Sequence, residues 1–200
     1  MKTLLVIKSS LFNREGQSSQ LVDAFAARWR TRHPNGRVLC RDLALDPVPH
    51  LTADAFAGFG REAAERSPAQ HAAAAISDTL VAELQAADEI ALGLPMYNFT
   101  VPSTFKAWMD HVARAGVTFR YTERGPEGLV GNKPLYVFAS RGGQYAGTGM
   151  DTQTPLIRQF FGMLGIRDVH FTYAEGLALG DEQAERARTR AAESIERLAA

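Results

Sequence analysis

Three stretches of the sequence hold residues suited to gripping a flat, phosphorylated ligand. The first is Ser9-Ser10-Leu11-Phe12-Asn13-Arg14-Glu15-Gly16-Gln17-Ser18-Ser19. It supplies several hydroxyls just ahead of a helical pattern. A helix N-terminus carries partial positive charge and unpaired N–H donors, which suits a phosphate. Read alone, Ser18 need do no more than cap that helix. The second is Gly93-Leu94-Pro95-Met96-Tyr97-Asn98-Phe99-Thr100-Val101-Pro102-Ser103. Loops are usually small and polar. Here Met96, Tyr97 and Phe99 offer flat or polarisable apolar contact, and Asn98 offers an amide that donates and accepts. They either cover the core, form a dimer contact, or line a slot for a planar heteroaromatic with polar edges. The third, Ser140 to Gly149, carries four glycines at 142, 143, 147 and 149. Such a loop has positive φ values, presses its backbone against a flat surface, or is flexible.

The elements around these stretches must bring them together. Short apolar runs at Thr3–Ser9, Gly36–Leu43, Glu89–Leu94, Pro134–Ser140 and Val169–Ala174 read as five strands. Between them, helical spacing marks Ser18–Thr31, Ala53–Phe59, Gln70–Ala86, Pro102–Ala113 and Thr154–Leu164, with a last helix at Glu182–Leu198. In the third of these helices Ile76, Leu80, Val81 and Leu84 form the apolar stripe. Val117–Leu129 reads as irregular or as a hairpin. Strands alternating with helices predict one α/β domain over residues 1–200. Its five-stranded parallel sheet is doubly wound in the flavodoxin-like order 2-1-3-4-5, with helices on both faces. A six-stranded dinucleotide fold would want G-x-G-x-x-G after the first strand, and the first loop lacks it. In open parallel sheets the ligand sits beyond the carboxyl ends of the strands. All three stretches fall there, and a phosphate site, a planar slot and a glycine-rich bed together describe a mononucleotide. FMN is the one this strand order suits.

Composition narrows the classes further. Lys+Arg and Asp+Glu are equal at 22 each, which gives no support to a nucleic-acid or membrane-surface role. A sequence pI near 7.0 gives weak mutual repulsion and makes self-association plausible. No apolar run approaches membrane length, so a cytoplasmic protein is expected. The single cysteine, Cys40, reads as a packed thiol. His111 reads as a surface or interface residue, and the five histidines show no metal spacing. Phe119 or Tyr121, in an alternating aromatic segment, is expected to wall a substrate slot at a dimer interface. Phe59 and Phe161 are further candidates for that slot.

The segments PMYNF (95–99), ARAGVTFRYTE (113–123), GPEGLV (125–130) and SRGG (140–143) are long, ordered and correctly spaced. With them the chain resembles the FMN-dependent NADH azoreductase and quinone reductase family, from Lys8 to Ala174. The resemblance implies a homodimer with FMN near the subunit interface. By it, Ser10, Gly16, Gln17 and Ser18 hold the phosphate, and Met96, Tyr97, Asn98 and Phe99 line the flavin. Ser140, Arg141, Gly142 and Gly143 cover its pyrimidine side, where the Gly142 and Gly143 N–H groups would face developing negative charge. It further implies ping-pong chemistry at flavin N5, with NADH as donor, a quinone or azo compound as acceptor, and no catalytic side chain. NADPH stays open, because the sequence locates no pocket for its extra phosphate. The family commonly has a hydroxyl residue where Gly16 stands, so FMN binding is expected to be retained but weakened, and a Gly16→Ser variant to tighten it. A flavodoxin-type electron carrier and a non-enzymatic FMN-binding module share the fold. A carrier would show an acidic docking face, which this balanced chain lacks.

Overall fold

The computed structural model describes residues 1–198. Five strands form one parallel sheet: β1 (Thr3–Lys8), β2 (Arg37–Asp42), β3 (Glu89–Pro95), β6 (Leu135–Arg141) and β7 (Val169–Glu175). Their spatial order is β2-β1-β3-β6-β7, all pairs parallel, which is the expected 2-1-3-4-5. The segment after Val117 is a small antiparallel hairpin of β4 (Phe119–Thr122) and β5 (Gly125–Gly128), outside the main sheet.

Helices cover both faces, so the central strands are apolar on both sides. Successive side chains of a strand point to opposite faces, and β1 shows it. Leu4 and Val6 pack with Val22, Phe25 and Trp29 of α1 (Gln17–Arg32) and Ile195 of α6 (Asp181–Leu198). Leu5 and Ile7 join the larger core on the other face. That core is built with α3 (Pro68–Ala86), α4 (Ser103–Val112) and α5 (Gln153–Met163), around Leu80, Phe105, Trp108 and Phe161. A shorter helix, α2 (Ala53–Phe59), packs on α3.

Three expectations about burial are corrected. Cys40 is exposed, because β2 is the edge strand and none of its residues is fully buried. Ile76 lies at the surface, while Leu80, Val81 and Leu84 of the same stripe are buried. His111 is not a surface residue: it is 1% exposed on the inner side of α4. Its Nε2 donates to the Pro49 carbonyl at 3.1 Å, Phe59 meets its ring edge-on, and its Nδ1 has no partner among the described residues. Burial lowers its pKa below the usual 6.5, against the smaller opposing pull of the Pro49 carbonyl and Asp110.

Candidate functional site

The first loop leaves β1 at Ser9, whose hydroxyl donates to the Gly93 carbonyl at 2.8 Å. A 3₁₀ turn over Asn13–Glu15 follows, and α1 begins at Gln17. The N-cap is Gly16, which has no side chain to accept a first-turn N–H. The reading of Ser18 as a cap is therefore corrected: it lies inside the first turn. Its hydroxyl and that of Ser19 are buried without a partner among the described residues. An uncapped helix N-terminus beside an unsatisfied buried hydroxyl is a ready anion site.

Gly16 is more than a missing hydroxyl. A Cβ placed there would fall 2.1 Å from Ser10 Oγ and 2.6 Å from Ser10 Cβ. Ser10 already fills the space that a side chain at 16 would take. Its Oγ accepts the Phe12 N–H at 3.2 Å and lies 3.3 Å from the Tyr97 hydroxyl. Tyr97 Oη also accepts the Leu11 N–H, so the first loop and the aromatic loop are joined through it.

The aromatic loop is a tight turn. Tyr97 and Thr100 exchange both backbone hydrogen bonds at 3.0 Å. The two residues between them are left-handed, with φ of +49° at Asn98 and +61° at Phe99. Asparagine tolerates this region, but a phenylalanine there is uncommon and strained. Asn98 and Phe99 both line a cavity beside this turn. A cavity of about 800 Å³ opens between Leu11 and Phe12 on one side and Met96, Tyr97 and Asn98 on the other. A second, of about 270 Å³, shares Met96 and Asn98 and continues past Phe99 to Gly142, Gly143 and Tyr145. All three stretches thus contribute to two adjoining cavities that share Met96 and Asn98, the first stretch through Leu11 and Phe12.

In the glycine-rich loop, of the four glycines only Gly147 has positive φ. The carbonyls of Gly142 and Gly143 accept from Ala178 and Gly176, while neither residue's N–H has an acceptor among the described residues. Ser140 is nearly buried, and its carbonyl accepts the Met96 N–H. Arg141 is corrected: its side chain does not reach the cavity. It is fully buried beneath, ion-paired with Asp151 at 2.8 Å and Glu175 at 2.9 Å, with its guanidinium against the Tyr173 ring. Burial would raise the Asp151 carboxyl, but hydrogen bonds from Thr154 and Arg141 outweigh it and hold the pKa low.

The aromatic residues expected at a slot between subunits do not line this chain's own cavities. Phe119 belongs to the core, and Tyr121 is 78% exposed on the hairpin; neither lines the cavity of its own chain. Phe161 is a core residue, and Phe59 packs on His111 and under Arg114. Sequence reasoning missed Leu11, Phe12, His50, Lys106 and Leu156 around the larger cavity, and the support from Thr152, Gln153 and Glu175. Asp151 three residues before Thr154 is a helix-start pattern that was open to reading, since Asp151 accepts the Thr154 N–H. No local pattern marks the others.

A family model described as having the flavodoxin-like fold matches residues 1–199. A protein of Alcanivorax borkumensis named FMN-dependent NADH:quinone oxidoreductase is 54% identical over 92% of this chain and 93% of its own. One of the same name from Azotobacter vinelandii is 48% identical, with both chains covered in full. Among solved structures, an azoreductase from Bacillus anthracis superposes with a TM-score of 0.91 at 27% identity, covering 100% of this chain and 99% of that one.

Proposed function

The chain belongs to the flavodoxin-like family of FMN-dependent NADH:quinone oxidoreductases, and on that premise we propose how its residues serve the reaction. The protein takes two electrons from NADH and delivers them to a quinone or an aromatic azo compound. FMN, when bound, would supply this two-electron redox chemistry. The observation that carries the assignment of the phosphate site is the uncapped start of α1 with the buried, unpartnered Ser18 hydroxyl. The free N–H groups of that first turn, with Ser10 and Ser18, hold the phosphate. Met96, Tyr97, Asn98 and Phe99 give the flat ring system an apolar wall and one amide. The free N–H groups of Gly142 and Gly143 stabilise negative charge at the pyrimidine edge. Arg141 acts from beneath the slot rather than by touching the flavin.

No titrating side chain is needed at the reacting atoms. The chain's work is to bind, to orient two flat partners in turn, and to exclude water with Phe12, Phe99 and Tyr145. Residues 1–200 act as one FMN-binding domain. A second copy closes the slot: Phe12, Phe56 and Tyr121 are each more than 60% exposed, more apolar surface than this part of a monomer needs. The hairpin, standing off its own cavity, is the element placed to reach a partner's. Among the described residues no helix is long and apolar enough to cross a membrane, and we place the protein in the cytoplasm. The test is an absorbance spectrum of purified protein reconstituted with FMN, followed by NADH under argon and then a quinone or azo dye. Bleaching by NADH and recovery on the oxidant are expected. A protein that takes up no FMN overturns the reading, and one that NADH leaves unbleached is an electron carrier instead.

A further inference from the structure

The strained turn at Asn98–Phe99 persists only if its surroundings over-determine it. Two residues at the start of α5 do so. The Thr152 hydroxyl donates to the Phe99 carbonyl. Gln153, with no exposed surface, donates its amide N–H groups to the Pro95 carbonyl at 2.9 Å and the Thr100 carbonyl at 3.2 Å. Its amide oxygen accepts from Arg141 Nε at 3.3 Å. The amide orientation is forced, since carbonyls accept and a guanidinium donates. Arg141 then pairs with Glu175, whose carboxylate accepts the N–H groups of Tyr145 and Ala146, both at 2.9 Å. A continuous hydrogen-bonded path therefore runs under the slot from the aromatic turn to the glycine-rich loop.

We propose that Gln153 is a positioning residue for the flavin pocket: it braces the strained turn and, through Arg141 and Glu175, makes the two walls of the slot move as one. The proposal rests on the FMN reading for what fills the slot, but not for the coupling itself. Glutamine suits the place because it alone among residues of this size donates twice and accepts at its end. An apolar replacement leaves the Pro95 carbonyl and one guanidinium N–H without this partner, and leaves the Thr100 carbonyl with the Tyr97 N–H alone.

The test uses the full chain with Gln153→Met. In ligand-free protein, amide exchange at Thr100 and at Tyr145 and Ala146 should rise together, roughly tenfold or more, while β1 stays protected. Faster exchange at Thr100 alone overturns the coupling. In reconstituted enzyme, FMN should bind roughly ten- to a hundredfold more weakly, and kcat at saturating FMN should fall more than KM for the acceptor rises. Unchanged FMN affinity and kcat overturn the positioning role. If wild-type protein takes up no FMN, the functional reading falls and the exchange experiment still decides the coupling. A second variant, Gln153→Glu, guards against loss of folding. Its carboxyl has at most one donor, and only when protonated, so the walls should be more tightly coupled near about pH 5 than near about pH 8. Equal exchange at both pH values, with wild type as control, overturns the proposal.

Discussion

Two residues at the proposed phosphate site compete for one space. Because Ser10 occupies the volume a side chain at 16 would need, Gly16→Ser adds a hydroxyl only by displacing another. The expectation that this variant would tighten FMN is therefore reversed. FMN titration should show binding no tighter than wild type, together with a loss of stability in the range of about 1–3 kcal/mol typical of overpacking. Exchanging the pair, Ser10→Gly with Gly16→Ser, removes the clash and should recover most of that stability in a thermal melt. If the single variant binds tighter, the rigid cradle described above is wrong. The sequence could show that a hydroxyl was missing at 16, but not that its neighbour had moved into the gap. Arg141 teaches the same lesson. Its place beside two glycines at a strand end marks the pocket, yet the side chain of a residue at the end of a strand can turn up or down, and only packing chooses.

At the scale of elements, periodicity was enough to find every strand of the main sheet and the six α-helices, with ends displaced by a residue or two. The hairpin was less legible. Its strands are four residues each, and GPEG has no strand pattern at all. What holds it is a contact remote in sequence. A Cβ on Gly128 would lie 2.0 Å from the Gly165 nitrogen, and the Val130 N–H bonds the Leu164 carbonyl. The hairpin is thus seated directly on the C-terminal turn of α5. Gly128→Ala must lift it off, at a cost of about 1–3 kcal/mol by overpacking. Differential exchange should place the loosening at residues 117–130 and at Leu164–Ile166. If exchange there is unchanged, the seat is softer than the geometry implies.

For the molecule as a whole, His111 links stability to pH. Its folded pKa lies below its unfolded one, so the unfolded chain takes up the proton first as pH falls. The contribution of the neutral imidazole is complete above 6.5 and is lost as pH falls through the lowered folded value. Wild-type melting temperature should drop as pH falls below 6.5, and His111→Gln should flatten that part of the curve. Parallel profiles would assign the acid sensitivity elsewhere. The global topology needed no structure to foresee, because a doubly wound sheet follows from the alternation of elements and the handedness of crossovers. Which residues of the interior stand idle and which hold the site did need one, since Gln153, Glu175 and His111 act across distances of 30 to 62 residues that no local pattern records. The turn at Asn98–Phe99 also bears on any attempt to improve this protein. A library screened for heat resistance alone, without flavin, should favour glycine at 98 and 99, where it relaxes the backbone by about 1 kcal/mol or more. Those hardier clones should come out pale, because the conformation they abandon is the one that presents the aromatic wall.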